Sequence, residues 1–442
     1  MLAALCLSVL VCAQPTDLTP VDRAAGWRDY TGADATALWR SYRGASFPAK
    51  GWVSAAGELR LSKNTGAGDI VTVDQFRDVE MTFDFKMGEK SNSGIMWRVA
   101  EKHDTPWQTG PEYQLLDDAG FGAKPTDAHA VGALYDLYPP AAAKVARPAG
   151  EWNTGRIRLR NGVVQHWLND VKVVEATIFD DAGRPTPEWL AKIGVDAKGA
   201  AVAEGGSKFK VYPGFGVQPA GHIAIQDHGD TDLALRNVRI RDLAAALPGE
   251  VRLFNGTDLT GWVGVARDEA TKTDGPVDTG TLASVRDGVI VIKGQPIGYL
   301  RTKDTYTNYV LRLEWRFDPS KGAGNSGVLV RMVGADKVWP KSVEAQLHSG
   351  NAGDFWNIDS FTMTTDPART KARNTKKSHG AERPLGEWNE YEIIVHRGDV
   401  VLKVNGEELN RATNVEQIAG HICLQSEGAE IHIRNVRLAP LP

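Results

Sequence analysis

Cysteine is scarce: Cys6, Cys12 and Cys423 are the only three in 442 residues. Two of them fall in the first dozen positions, which excludes a disulfide framework for the body of the chain. A basic excess is also missing. Lys and Arg number 51 against 55 Asp and Glu, a formal net charge of −4, so the electrostatic footprint of a nucleic-acid partner is lacking. Beyond the first dozen residues no apolar run is long enough to span a bilayer as a helix. The chain has no Cys/His zinc spacing, no phosphate-cradling Gly-rich loop and no Gly-x-Ser-x-Gly elbow. Positive charge is absent even at the start, since no Lys or Arg precedes Arg23.

Hydrophobic residues make up 42% and charged residues 24%, which is the balance of a chain with packed cores. Gly at 46 without a three-residue period, beside 13 Trp, suits an all-β protein with many tight turns. The length predicts two or three domains. Leu2 to Ala13 is a short apolar run, and Val11-Cys12-Ala13 before Gln14 reads as a small-residue cleavage site. Residues 1–13 are therefore expected to be a signal peptide, with the protein secreted or periplasmic.

The same unit occurs twice. Asn92-Ser93-Gly94 returns as Asn325-Ser326-Gly327, and Glu112-Tyr113-Gln114-Leu115 as Glu344-Ala345-Gln346-Leu347. Gly150-Glu151-Trp152-Asn153 returns as Gly386-Glu387-Trp388-Asn389, and Gly221-His222-Ile223 as Gly420-His421-Ile422. Both copies close on Arg-Asn-Val-Arg, at 236–239 and 434–437. Between the Asn-Ser-Gly and the Glu words lie 20 and 19 positions. Between Glu-Trp-Asn and Gly-His-Ile lie 70 and 33, so the first copy carries an insertion, placed at 175–215. Units of this size need their own cores rather than solenoid stacking. The joint is expected at Ala244 to Gly249, giving domains at 27–243 and 250–442.

Periodicity of two over Val79–Phe85 and Tyr309–Phe317 predicts half-buried strands. Asn161-Gly162 between Ile157–Arg160 and Val163–Trp167 predicts a hairpin with positive φ in its turn. Its counterpart turns on Arg397-Gly398-Asp399. Strands at such spacing read as a sandwich or barrel. Pro187–Lys192, with Thr186 as cap, is the best helix.

The words Gly68-Asp69-Ile70, Asn92 to Arg98, Pro111 to Asp118, Gly132-Ala133-Leu134-Tyr135-Asp136, His166-Trp167-Leu168-Asn169 and Gln226-Asp227-His228-Gly229 resemble the 3-keto-disaccharide hydrolase domain family. Leu253-Phe254-Asn255-Gly256, Leu259 to Trp262 and Gly353-Asp354-Phe355-Trp356 resemble another branch of it. The resemblance implies two tandem concanavalin A-like jelly-roll β-sandwiches, each with a sugar site on the concave sheet. It also implies cleavage of glycosides already oxidised to a ketone at C3. Such a ketone acidifies the C2 hydrogen and sets the C1 leaving group β to the carbonyl. The reaction needs a tuned base, donors for an enolate oxygen and an acid for the departing oxygen, not the two flanking carboxylates of an ordinary glycosidase.

Against that requirement, Glu112, His166, Lys144, Asp227 and His228 are the catalytic candidates. Glu112 and Gln114 share a strand face, and Arg98 is expected to pair with Glu112 and lower its pKa. His166 suits a base near neutral pH. Lys144 and Lys208 could donate to an enolate oxygen. Arg98, Gln114, Tyr135, Gln226, Lys208, Glu344 and Gln346 are the substrate-binding candidates. Asp117, Asp118, Asp127 and His129 form a carboxylate-rich loop, and Asp117, Asp118 and His129 are candidates for a divalent cation. Leu402 or Lys403 stands where the first copy has His166, so the second copy is expected to be divergent or accessory. Glu151-Trp152-Asn153 and its repeat are expected to be structural, with Trp in the core. The expected partner molecules are an oligosaccharide or glycoside and, to make the ketone, a sugar 3-dehydrogenase. The alternative is a carbohydrate-binding protein without turnover, since the fold hosts lectins as readily as enzymes.

Overall fold

The computed structural model describes residues 17–442. The expected signal peptide, Cys6 and Cys12 lie outside the described residues. The chain divides between Ala246 and Leu247 into two compact units. Each unit is a sandwich of two antiparallel sheets, the jelly-roll architecture that the resemblance implies.

In the first unit an eight-stranded sheet runs in the order Val171–Thr177, Val163–Leu168, Asn153–Arg160, Val79–Met87, Leu233–Asp242, Glu58–Leu61, Trp52–Ala55, with Arg28–Asp29 also paired to Leu233–Asp242. A five-stranded sheet runs Trp39–Ser41, Ile70–Thr72, His222–Ile225, Asn92–Val99, Glu112–Leu116. Alternation decides what each strand buries. Met81, Phe83, Phe85, Ile157, Leu159 and Val164 of the larger sheet share one core with Ile95, Trp97, Tyr113, Leu115, Ile223 and Ile225 of the smaller. The Phe83 and Tyr113 rings meet edge to face across it at 5.4 Å.

The second unit repeats the plan. Its eight-stranded sheet runs Ala283–Arg286, Val289–Ile292, Ile431–Pro440, Tyr309–Phe317, Asn389–His396, Asp399–Val404, Glu407–Ala412, with Val251–Arg252 also paired to Ile431–Pro440. The opposing sheet has nine strands and includes Gly298–Thr302, His421–Ser426, Gly327–Val333, Lys341–Gln346 and Phe355–Ile358 as consecutive neighbours.

The predicted strands form. Tyr309–Phe317, however, is buried on nearly all its residues rather than alternately. Its polar positions are covered by ion pairs instead of water: Arg312 Nε donates to Glu392 at 2.8 Å and Glu314 accepts from Arg434 at 2.6 Å. The first hairpin turns on Asn161 and Gly162 at φ 49° and 76°, with Arg160 opposite Val163. In the repeat His396 pairs with Asp399, so Arg397-Gly398 is the turn and Asp399 belongs to the strand. The helix Pro187–Ile193 is capped by Thr186, whose Oγ1 accepts from the Trp189 amide at 3.2 Å.

Trp152 is not a core residue as expected, and Trp388, though buried at 5% exposure, packs outside the main core cluster of its unit. Trp152 is half-buried between the Arg236 guanidinium and the Lys86 ammonium, and Trp388 lies against Arg316 and Arg434. Both cover an arginine-bearing outer face through cation–π contact. Asn153 does fix its turn, accepting from the Arg147 amide at 2.7 Å.

Candidate functional site

The site of the first unit grows out of the strand Glu112–Leu116. Tyr113 and Leu115 enter the core, so Glu112 and Gln114 point from the outer face of the five-stranded sheet. Met96 and Gly94 are their cross-strand neighbours. A Cβ on Gly94 would lie 1.8 Å from Glu112 Oε1, so only glycine lets the carboxyl fold over the neighbouring strand. Glu112 is 5% exposed, and no hydrogen bond or ion pair within the described residues holds its carboxyl. Burial raises its pKa to about 8, with the Lys208 ammonium pulling down and Asp69 pushing up. Beside it Gln114 donates to Asn92 Oδ1 at 3.3 Å. The buried Gln114 Oε1 has no partner among the described residues, and an orphaned acceptor of this kind calls for a ligand or water.

The insertion supplies one wall. Its short helical turn Lys208–Val211 is anchored by Phe209, which stacks on Phe215 at 4.0 Å. The anchor brings Lys208 Nζ to 3.1 Å from the Tyr135 hydroxyl and over the Tyr135 ring. Tyr135 is tied to the same strand, its amide donating to the Glu112 carbonyl at 2.9 Å. Trp107 lies within cation–π range of Lys208. His129 flanks Tyr135 at 4.9 Å and lies between Asp127 and Asp136.

The opposite wall is Asp69 with Gln226, Asp227 and His228. Asp69 precedes the strand Ile70–Thr72, and its Oδ1 accepts from the Asp227 amide at 2.8 Å. Burial lifts its pKa to about 6. Gln226 continues the outward row of the strand His222–Ile225, its amide donating to the Gly94 carbonyl. The Asp227 carboxylate is used on backbone, accepting from Gly68 and Gly229 at 2.9 Å each. His228 is half exposed, with Nδ1 3.0 Å from Asp230. Asp69 and Trp107 are site residues that the sequence reading missed. The signal for Asp69 was present in Gly68-Asp69-Ile70, where the alternation that buries Ile70 turns Asp69 outward.

Several expected members lie elsewhere. His166 belongs to the other sheet and points into the core. It is fully buried, its ring lies 4.8 Å from Tyr113, its Nδ1 lies 3.2 Å from the Gly132 carbonyl, and its Nε2 has no partner. Burial lowers its pKa to about 4, which together with its position removes it as the base. Arg98 does not pair with Glu112. Its φ of 53° breaks the alternation of its strand and sends the guanidinium to the carbonyls of Arg77 and Gln218 and over the Phe179 ring. Lys144 is almost wholly buried in an ion pair with Asp118 at 2.7 Å, so it cannot serve an enolate. That pair also takes Asp118 out of the expected cation set. Asp117 accepts from the Lys90 amide at 2.9 Å, and His129 turns to Asp127 and Asp136, so the three candidates do not converge.

The second unit keeps half of this arrangement. Glu344 is 4% exposed and sits over Gly327, and burial raises its pKa to about 8, with Glu427 pushing further. Gln346 does not face a ligand: its Oε1 accepts from the Leu347 and His348 amides at 2.9 Å. Tyr299 stands opposite Gln425, the place corresponding to Asp69, in an apolar cluster with Leu329, Met332 and Cys423. Leu402 pairs with Ile393 as His166 pairs with Ile157, and it is core.

Among the described residues no helix is long and apolar enough to cross a membrane. The signature of the 3-keto-alpha-glucoside-1,2-lyase-like domain family matches residues 24–241 and again 249–439. The 3-keto-disaccharide hydrolase of Bacteroides thetaiotaomicron is 29% identical over 192 residues, 40% of this chain, and the chain spans 62% of that relative's length. Two solved structures of candidate glycosyl hydrolases from Parabacteroides distasonis are also similar. One is 28% identical with a TM-score of 0.43, covering 52% of this chain and 100% of its own. The other is 25% identical with a TM-score of 0.37, covering 49% and 99%.

Proposed function

The chain belongs to the 3-keto-alpha-glucoside-1,2-lyase-like domain family through both of its units, and from that premise we propose that the first unit cleaves 3-keto-glycosides. The observation that carries the reading is the Glu112 carboxyl: desolvated, without a protein partner, and titrating at about 8. A carboxyl tuned to that range exchanges protons readily at neutral pH. Ionised Glu112 removes the C2 proton, the C1–oxygen bond breaks, and the departing sugar takes a proton from the Asp69/His228 wall. Lys208, bonded to the Tyr135 hydroxyl, donates to the C3 oxygen as negative charge develops there. Water then adds at C1 and the proton returns to C2. Gln114 and Gln226 orient sugar hydroxyls, and Trp107 and Tyr135 offer rings for stacking. Asp227 and His129 position backbone and side chains around the site.

The substrate must come from an oxidoreductase that converts the C3 alcohol to a ketone, a sugar 3-dehydrogenase in chemical class. With the expected export signal, the reaction belongs outside the cytoplasm.

The test incubates the purified protein with a 3-keto-glucoside and with its unoxidised parent, following release of the leaving group. Release from the keto compound alone, lost in Glu112→Gln, supports the reading. Binding of the parent glycan with no release from either compound would replace it with a lectin, and release from the parent would replace the substrate class.

A further inference from the structure

The second unit carries buried oxygen atoms with no positive charge beside them. Glu344 and Gln425 both fold over Gly327. Their oxygens converge on the space a Cβ would fill there, Gln425 Oε1 at 2.3 Å and Glu344 Oε1 at 2.6 Å from it. Gln425 is 2% exposed; its amide faces the Glu344 carboxyl and pulls the carboxyl's pKa down, and its Oε1 has no hydrogen-bond partner among the described residues. Asn325 Oδ1 is buried and unpartnered as well. Its counterpart in the first unit, Asn92, accepts from Gln114, whereas Gln346 has turned to backbone. The half-buried Glu427 adds a second carboxylate, close enough to Glu344 to repel it and touching the Asn325 side chain. No Lys, Arg or His forms an ion pair with Glu344 or Glu427 among the described residues.

The first unit answers the same problem with its own chain. There the insertion delivers Lys208 toward Glu112, and His228 stands where the repeat has Glu427. The second unit lacks the insertion, has Tyr299 in place of Asp69 and replaces the histidine with an acid, so the Glu112/Asp69 pair with an ammonium beside it becomes a Glu344/Glu427 pair with none among the described residues. The geometry points to a divalent-cation site in the second unit, with Glu344, Glu427 and the amide oxygens of Gln425 and Asn325 as hard oxygen ligands for an ion of the Ca²⁺ class. Oxygen-only donors select that class over the transition metals, and the remaining coordination falls to water. The cation supplies the charge that Lys208 supplies in the first unit, and it ionises both acids on binding. This site stands apart from the chemistry assigned to the first unit and survives the failure of that reading.

Tb³⁺, a luminescent substitute for Ca²⁺, tests it on the full chain after chelator treatment. Trp356 pairs with Glu344 across the strands and is exposed, so it serves as the sensitiser. Expected is saturable sensitised emission that Ca²⁺ displaces in the range of roughly 0.1–1 mM, the affinity of weakly charged extracellular modules. Glu344→Gln and Glu427→Lys should each abolish it, and Glu112→Gln should leave it intact. Absence of emission, or emission that survives both changes in proteins with unaltered near-ultraviolet circular dichroism, overturns the site. Should either variant unfold, Glu427→Gln decides: weaker Ca²⁺ displacement supports the site, and unchanged displacement overturns it.

Discussion

The two units share a scaffold and differ in the chemistry placed on it. Arg98 and Arg331 both sit at positive φ, 53° and 54°, and both give their guanidinium to backbone carbonyls. Glu112 and Glu344 both lie over a glycine of the neighbouring strand. Positions that agree are therefore of two kinds, a bulge that shapes the sheet and a carboxyl that the sheet presents. Positions that differ surround that carboxyl: Asp69 against Tyr299, His228 against Glu427, Lys208 against no insertion. An aromatic swap in the core shows how little the scaffold minds. Tyr113 meets Phe83 in the first unit, where Gly155 leaves room for the Phe83 ring. Tyr391, at the place of Gly155, meets Trp315 in the second, where Ala345 takes the place of Tyr113.

The largest effect should separate the two carboxyls. Glu112→Gln is expected to lower leaving-group release from a 3-keto-glucoside by about 10²–10⁴-fold, the usual worth of a positioned proton-transfer group. Glu344→Gln should leave release within a factor of about two, because among the described residues no cationic side chain pairs with it. Equal losses would mean that the two sites act together and that the contrast drawn between them is wrong.

His166 and Leu402 give the next contrast. They occupy one core position, and the leucine is the natural occupant of an apolar site. Leu402→His should destabilise the second unit by about 2–4 kcal/mol, the cost of burying a polar ring without adequate partners. His166→Leu should change stability by no more than about 1.5 kcal/mol and leave release intact, measured by denaturant unfolding beside the keto-glucoside assay. Loss of release in a folded His166→Leu protein would restore the histidine to the mechanism.

The duplication, the sheet class and the outward Glu112–Gln114 pair were legible because each rests on local pattern: repeated words, period two, turn residues at fixed offsets. The misassigned residues fail for a common reason. His166 sits on a correctly predicted strand, but alternation alone does not say which face of a strand meets the other sheet. Arg98 follows the alternation until its own positive φ breaks it. Lys144 and Asp118 are 26 positions apart, and only the loop that joins them makes an ion pair. Lys208 is the converse. It lies 96 positions from Glu112, and packing of Phe209 on Phe215, not any motif, turns it toward the site.

Lys208 should also set the pH response. If ionised Glu112 is the base, kcat/KM rises with pH through a limb near 8 and flattens above it. The lysine holds the Glu112 pKa down, so Lys208→Met should move that limb to higher pH and lower release at neutral pH by several-fold. A pH–rate profile of both proteins checks the direction, and a limb that stays put would detach Lys208 from the carboxyl.

The smallest effect concerns stability. Glu344 titrates at about 8 in the folded chain, whereas an exposed glutamate titrates near 4.3. Between those values the folded unit keeps a proton that the unfolded chain has released. Stability therefore falls as pH rises through the window and levels off above the folded pKa. One such group contributes a slope of at most about 1.4 kcal/mol per pH unit. Glu344→Gln holds the same shape without the ionisation, so in chelator it should flatten the fall between roughly pH 6 and 8 in the transition of the second unit alone, by about 1–2 kcal/mol. Glu112→Gln should do the same in the first unit. Denaturant unfolding followed at three pH values distinguishes the two, because each unit has its own core and each substitution should move only one transition. A variant that flattened both would show that the units unfold as one, leaving binding and turnover as the properties in which they differ.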